Sequence, residues 1–233
     1  ASDHAGGLDL EGLVRFLSER TGIRINLVHC KDYGEAITSL EKGTAQIGWL
    51  GPFAYFEAAR RGHVEAFAVG QLKGKNSPNY RSLFVTRADS PIRTLEDVKN
   101  TCIAIGDQHS TSGYIVPKRE LADMGINLEN ESEFAEVVRA QNHDAAIRLV
   151  LEGQVDVAPV SSVNLDENMA KGGIDTDLIR IIHRSADIPG APLVCSKSLS
   201  ADLKAVLKDL VLQAHQHIDV GGYGGPMEKY VDP

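Results

Sequence analysis

Helix-like and strand-like segments alternate along the whole chain of 233 residues. Apolar residues recur at helical spacing in one segment, as at Leu10, Leu13 and Leu17, and form short apolar runs in the next. This alternation predicts α/β layers, and we expect most strands to be parallel. The predicted strands are 23–28, 45–49, 66–72, 81–86, 102–105, 133–139, 155–160, 178–183 and 193–196, and the Gly-rich tail 221–233 is predicted to be a loop.

One pattern occurs twice in the sequence, at an offset of 110 residues. Residues 36–47 and 146–157 each have the pattern of an amphipathic helix, a glycine stop and a buried strand. Any α/β unit can show this pattern, but it also fits two lobes of like design that face each other across a cleft. Tyr33 and His143 would then be equivalent positions at two helix starts, where ligands of such sheets bind.

The charge balance argues against a nucleic-acid-binding protein. The chain has 24 Lys and Arg against 32 Asp and Glu, a net charge of −8, and no basic run that could bind a nucleic-acid backbone.

The apolar stretches of the sequence are too short to span a membrane. Cys30, Cys102 and Cys195 fit no zinc or redox spacing and are predicted to be buried apolar residues. We expect no metal and no cofactor.

The segment from Gly106 to Gly113 is the strongest candidate for a binding site. It follows a predicted strand and opens a helix, so unpaired backbone N–H groups and the positive end of the helix dipole would face an anion. Ser110, Thr111 and Ser112 add three hydroxyl groups in a row, whereas an ordinary N-cap needs one. Anion binding and simple capping both account for this pattern.

No catalytic set accompanies the segment. The sequence has no Gly-x-Ser-x-Gly elbow, no His-Glu-x-x-His pair and no clustered carboxylates. His143 opens a predicted helix, and beside an anion its ring would be a useful donor that could also take up a proton at low pH.

From Asp107 to Pro117 the sequence resembles the phosphate/phosphite/phosphonate family of ABC-transporter substrate-binding proteins, and the resemblance extends over most of the chain. Its most specific mark is Ser-Thr-Ser-Gly at 110–113. Further matching segments follow in the family's order at 32–33, 47–52, 79–82, 153–158 and 188–190.

The resemblance implies a type II periplasmic-binding-protein fold, in which two α/β lobes are joined by two crossing hinge segments with the ligand cleft between them. We expect lobe 1 to comprise residues 1–87 and 190–233 and lobe 2 to comprise residues 88–189, with hinges near Thr86–Ser90 and Ala186–Ala191. Family chains open with a strand before the first helix. This sequence begins in the loop after it, so the first strand of lobe 1 is expected to be missing.

The resemblance also implies a set of ligand-binding residues. The family's hydroxyl trio maps onto Ser110, Thr111 and Ser112, its pocket tyrosine onto Tyr80 and its pocket histidine onto His143. The other candidate ligand-binding residues are Tyr33, Leu50, Gly51 and Ser161.

Departures from the family pattern bear on the ligand. Leu50 stands where many members have tyrosine, and Val163 and Ala191 stand where members that bind aminoalkyl phosphonates place acidic residues. A buried ammonium group without a carboxylate would lose its hydration uncompensated. We therefore expect phosphite or a short alkylphosphonate such as methylphosphonate, rather than phosphate or an amine-bearing ligand.

The implied function is that of the solute-binding component of an ABC importer, not an enzyme. It would capture a small phosphorus oxyanion by hinge closure and present it to an ABC permease, as a monomer that is periplasmic or lipid-anchored outside the cytoplasm. Two alternatives stay open. One is the ligand-sensing domain of a receptor or regulator, and the other is an enzyme on the same two-lobed fold, against which the lack of a nucleophile–base pair argues.

Overall fold

The computed structural model describes residues 10–222 and 225–233. The chain divides into two compact units, the first formed by residues up to 79 and from 189 onward, the second by residues 80–188. The chain thus enters the second unit at Tyr80 and leaves it after Ile188. The first of these boundaries lies earlier than the expected one after residue 87, because Ser82–Arg87 is a strand of the second unit's sheet.

The elements alternate much as the sequence predicts. Within the described residues the helices are α1 (Leu10–Thr21), α2 (Tyr33–Glu41), α3 (Pro52–Arg60), α4 (Val116–Asp123), α5 (His143–Leu151), α6 (Ser162–Ala170) and α7 (Ala201–Gln213). The strands are β1 (Ile47–Trp49), β2 (Val64–Leu72), β3 (Ser82–Arg87), β4 (Cys102–Ile105), β5 (Glu136–Arg139), β6 (Val157–Ser161), β7 (Ile179–Arg184), β8 (Pro192–Ser196), β9 (Gly221–Gly222) and β10 (Gly225–Val231). One turn of π-helix, Thr111–Ile115, leads directly into α4.

The first unit contains a sheet with the strand order β1-β8-β2-β10-β9, whose described pairs are all antiparallel. Apolar side chains of α1, α7 and the sheet form its main core, which includes Phe16, Trp49 and Val211. Burial of these side chains is the principal stabilisation of the unit.

Two predictions for the first unit are wrong. Residues 23–28 form no strand, because their backbone has no sheet partner among the described residues, and Ile23 and Val28 are 47% and 53% exposed. The Gly-rich tail is not simply a loop, because β10 pairs with β2 and brings Tyr230 opposite Gly70. In both cases the outcome depends on a partner strand that local sequence does not specify.

The second unit contains a sheet with the strand order β5-β4-β6-β3-β7. Strand β4 is parallel to β5 and β6, whereas β3 is antiparallel to β6 and β7. The prediction of mostly parallel strands is therefore wrong, since alternation of elements does not set the direction in which distant strands pair. Helix α5 packs on this sheet through Ile147 and Val150, which share a core cluster with Leu83 and Ala158.

The internal repeat is confirmed in the local structure of α2 with β1 and of α5 with β6. Asp32 and Asn142 cap the two helices, each accepting a backbone N–H at 2.8 Å. After each helix comes a glycine with positive φ, 71° at Gly43 and 69° at Gly153, a conformation that favours glycine.

In the described part of the chain, no helix is both long enough and apolar enough to cross a bilayer. The same residues contain no group of three or more His, Cys, Asp or Glu side chains that could hold a metal ion. All three cysteines are free thiols, with Cys30 and Cys195 buried and Cys102 partly buried.

Candidate functional site

The segment after β4 begins a helix, as predicted. Ser110 is the N-cap, and its Oγ accepts the backbone N–H of Gly113 at 3.1 Å. Its carbonyl accepts from the N–H groups of Tyr114 and Ile115 at 3.1 and 3.0 Å, and the longer i to i+5 bond makes this turn a π-helix. The hydroxyl-bearing residues Thr111 and Ser112 therefore lie in the first turn, at the positive end of the helix dipole.

Two glycines allow the end of β4 to contact this turn. The N–H of Gly106 donates to the carbonyl of Gly113 at 2.9 Å. A Cβ atom on Gly113 would lie 2.9 Å from Ser110 Oγ and 3.2 Å from His143 Cε1. A side chain at position 113 would thus displace two of the candidate site residues.

Tyr80 lies with the hydroxyl trio. Its phenol is hydrogen-bonded to Ser112 and Thr111, and the residue is 6% exposed. Burial raises the pKa of Tyr80 to about 12, although the two hydrogen bonds act in the opposite direction. The phenol is therefore neutral at physiological pH and retains a proton that it can donate.

His143 is the first residue of α5, held there by the Asn142 cap, and its side chain is buried. Its Nε2 lies 3.3 Å from Ser112 Oγ. Its Nδ1 accepts the backbone N–H of Ser161, also at 3.3 Å. The ring thus connects the hydroxyl segment to the end of β6.

Ser161 ends β6 and caps α6, its Oγ accepting the N–H of Val163 at 3.2 Å. The starts of α5, of α6 and of the π-turn are therefore linked through His143 and Ser112. Each start carries the positive end of a helix dipole, which favours a bound anion.

Ser82 is a supporting residue that the sequence reasoning did not single out. Its Oγ donates to the backbone carbonyl of Ser112 at 2.7 Å, and the side chain is fully buried in β3. The sequence did contain a sign of this role, because Ser82 is a polar residue directly before the apolar run Leu83–Val85.

The other residues that are expected to line the ligand site lie in the first unit. The exception is Val163, which is buried at the start of α6. Tyr33 and Leu50 are almost fully buried and belong to one hydrophobic cluster. Gly51 follows as the N-cap of α3. The carbonyl of Ala191 accepts the indole N–H of Trp49 at 3.0 Å.

Within the second unit, therefore, the structure brings together the predicted residues of the hydroxyl segment, the tyrosine, the histidine and the serine at the end of β6. Hydroxyl groups at helix starts, with a buried phenol beside them, can donate hydrogen bonds and are suited to holding an oxyanion.

The chain matches a known family along most of its length. The model of the ABC-transporter phosphonate periplasmic substrate-binding protein family matches residues 8–221. The chain is 30% identical over 200 residues to the phosphonates-binding periplasmic protein of Escherichia coli K12, covering 84% of this chain and 58% of that protein. It thus spans little more than half the length of this curated relative.

Solved structures of binding proteins are similar in fold. A binding protein component of an ABC phosphonate transporter from Pseudomonas aeruginosa is 26% identical, with a TM-score of 0.83 over 96% of this chain and 75% of that one. PhnD1 from Prochlorococcus marinus, in complex with methylphosphonate, is 16% identical, with a TM-score of 0.77 over 96% of this chain and 85% of that one.

The fold is therefore that of the two-lobed, type II periplasmic binding proteins. The chain belongs to the family of periplasmic substrate-binding proteins of ABC phosphonate transporters, a family of transport proteins rather than enzymes.

Proposed function

We propose that this protein binds a small phosphorus oxyanion and delivers it to an ABC permease. The observation that carries the proposal is the contact of Ser112 with both Tyr80 and His143 at the start of a helix. Each hydrogen bond from such a donor to a charged oxygen contributes about 1.5–3 kcal/mol, so a few of them suffice for tight binding.

The proposed ligand-binding residues of the second unit are Ser110, Thr111, Ser112, Tyr80, His143 and Ser161. Those of the first unit are Tyr33, Leu50 and Gly51. We propose that the two units close on the ligand by a hinge motion, and that the protein acts as a monomer outside the cytoplasm. This proposal is supported by membership of the family.

We further propose that phosphite or methylphosphonate is preferred. Leu50, Val163 and Ala191 are apolar, so an oxygen or ammonium group that faced them would lose its water without gaining a partner. That loss costs about 1–3 kcal/mol on scales derived from proteins. A P–H bond or a P–CH₃ group needs no hydrogen-bond partner.

The test is calorimetric titration of the protein with phosphite, methylphosphonate, phosphate and 2-aminoethylphosphonate under one set of conditions. We expect phosphite or methylphosphonate to bind about tenfold to a hundredfold more tightly than the other two anions. Tightest binding of phosphate or 2-aminoethylphosphonate would contradict the proposed selectivity. Failure of all four to bind would contradict the proposed function itself.

A further inference from the structure

We propose that Pro117 is a positioning residue for the anion site, because its missing N–H leaves two backbone carbonyls of the hydroxyl segment to donors on neighbouring strands. The carbonyls are those of Ser112 and Gly113. This inference rests on the proposed function and adds to it a residue that acts through the backbone of the segment, without having to contact the ligand.

Pro117 follows a turn of helix rather than starting one. The π-turn Thr111–Ile115 runs directly into α4, and Pro117 is the second residue of α4. Helices tolerate proline in their first turn, where its missing N–H has no helical acceptor. Further along, proline removes a hydrogen bond, and its ring crowds the carbonyl four residues earlier, which here belongs to Gly113. The sequence therefore interrupts the hydrogen bonds of this helix at a defined place.

The bonds of the π-turn indicate what is interrupted. The N–H of Val116 donates to the carbonyl of Thr111, five residues earlier. The next N–H in this series would belong to residue 117 and would donate to the carbonyl of Ser112. With the α-helical spacing of four residues, it would donate to the carbonyl of Gly113 instead. Because proline has no N–H, neither bond forms.

Both carbonyls accept from the sheet of the second unit. Ser82 Oγ, in β3, donates to the Ser112 carbonyl at 2.7 Å. The N–H of Gly106, directly after β4, donates to the Gly113 carbonyl at 2.9 Å. Ser82, Ser112 and Gly113 are buried. The two bonds hold the first turn of the segment on β3 and on the end of β4, and with it the hydroxyl groups of Thr111 and Ser112.

An N–H at position 117 should weaken this hold, since a helical N–H draws its acceptor carbonyl along the helix axis, away from a donor on a strand. Pro117→Ala introduces that N–H. Replacement of Pro117 by lactic acid, through suppression of a stop codon, gives the same methyl side chain with an ester oxygen in place of the N–H. Comparison of the two variants therefore separates the effect of the N–H from the loss of the proline ring.

The first measurement is amide hydrogen exchange by NMR in the ligand-free protein. Labelling isoleucine with ¹³C at the carbonyl and glycine with ¹⁵N selects the amides of Ile–Gly pairs, of which the sequence has two, Ile47–Gly48 and Ile105–Gly106. A Gly48→Ala variant removes one signal and so assigns both. Gly48 lies in β1 of the first unit and is the internal control.

We expect the Gly106 amide to exchange at least about tenfold faster in Pro117→Ala than in wild type, because its acceptor is drawn away. The lactic acid variant should exchange at close to the wild-type rate, and Gly48 should be unchanged in both. A wild-type rate at Gly106 in Pro117→Ala would overturn the inference, and so would equally fast exchange in the two variants.

The second measurement is calorimetric titration with methylphosphonate. Pro117→Ala should weaken binding about tenfold, and the lactic acid variant should recover most of that loss. Pro91→Ala, at an exposed loop position of the same unit, controls for the general effect of removing a proline.

A double-mutant cycle with Ser82→Ala tests the link between the helix and β3. In the Ser82→Ala background the new N–H at position 117 takes the place of the lost hydroxyl as a donor to the Ser112 carbonyl. Pro117→Ala should then weaken binding by less than about threefold. An equal loss in the two backgrounds would overturn the inference.

Circular dichroism checks that each variant is folded. Failure of Pro117→Ala alone to fold would support the inference, because the N–H is then the cause, whereas failure of the lactic acid variant as well would assign the effect to the ring and overturn it. The two levels of the account fail separately. A wild-type protein that binds none of the four anions overturns the proposed function, whereas unchanged Gly106 exchange in Pro117→Ala overturns only the role of Pro117.

Discussion

The Ser82 hydroxyl donates to the backbone carbonyl of Ser112 at 2.7 Å, which connects a buried strand to the first turn of the hydroxyl segment. Ser82 is fully buried and Ser112 is 1% exposed, so water cannot replace this bond. A backbone carbonyl left without a partner in such a place has a substantial free-energy cost.

Ser82→Ala should therefore lower the free energy of unfolding by about 1–3 kcal/mol, since the Ser112 carbonyl loses its donor. It should also weaken anion binding, because the Ser112 backbone is less firmly held. Chemical denaturation and calorimetry measure the two effects. Ser132→Ala is the matched control, because Ser132 is exposed and its hydroxyl donates to Asn130, two residues earlier in the chain. Equal stability of the two variants would show that the Ser82 bond has little net value.

Gly113→Ala should weaken anion binding more than it weakens the fold. The new Cβ would lie 2.9 Å from Ser110 Oγ and 3.2 Å from His143 Cε1, so both side chains have to shift. Overpacking of this kind costs about 1–3 kcal/mol. Gly173→Ala is the control, since its Cβ would approach only Asn168, with the nearest atom at 3.4 Å. Wild-type affinity in Gly113→Ala would contradict the described packing of the site.

Tyr80 should make the protein sensitive to alkaline pH. Because burial favours the neutral phenol, the pKa in the folded state is raised from 10.0 to about 12. The folded state then holds its proton more firmly than the unfolded state, so this contribution to stability is complete below about pH 10 and is lost between about pH 10 and pH 12. Denaturation curves across this range should show a smaller decline for Tyr80→Phe than for wild type. Tyr55→Phe, at a half-buried position of the first unit, serves as the control. An identical decline in stability for Tyr80→Phe and wild type would contradict the raised pKa of Tyr80.

Ligand should make the protein more compact if the two units close by a hinge motion. The chain passes between the units at Asn79–Tyr80 and Ile188–Pro189, so we expect backbone rotation near these bonds. Small-angle scattering at saturating methylphosphonate should give a smaller radius of gyration than without ligand. Identical curves would count against closure.

Local sequence predicts much of the candidate site and less of the sheets. Helix starts can be predicted from sequence because a cap is a local interaction. The side chains of Ser110 and Asn142, for example, each accept the N–H group three residues further along the chain. Strand pairing cannot be predicted in this way, because the partner strand is distant in the sequence. Residues 23–28 have strand-like alternation without a sheet partner in the described chain, while the Gly-rich tail contains β10, which pairs with β2.

The chemical state of the site depends on contacts between distant residues. The Nδ1 atom of His143 accepts from the N–H of Ser161, and the carbonyl of Ser112 accepts from the hydroxyl of Ser82, 30 positions earlier in the chain. A sequence pattern predicts which residue types are present, but it does not specify which nitrogen of a ring meets which donor.

The most direct test of the account is calorimetric titration of methylphosphonate into wild type and Thr111→Ala. Thr111 lies in the first turn of the π-helix and, like Ser112, is hydrogen-bonded to the phenol of Tyr80. The control is Thr94→Ala, at an exposed position of the same unit, where the Thr94 hydroxyl donates to Asp97. We predict roughly a tenfold or greater loss of affinity in Thr111→Ala and none in Thr94→Ala. Unchanged affinity in Thr111→Ala would contradict the claim that this segment holds the oxyanion.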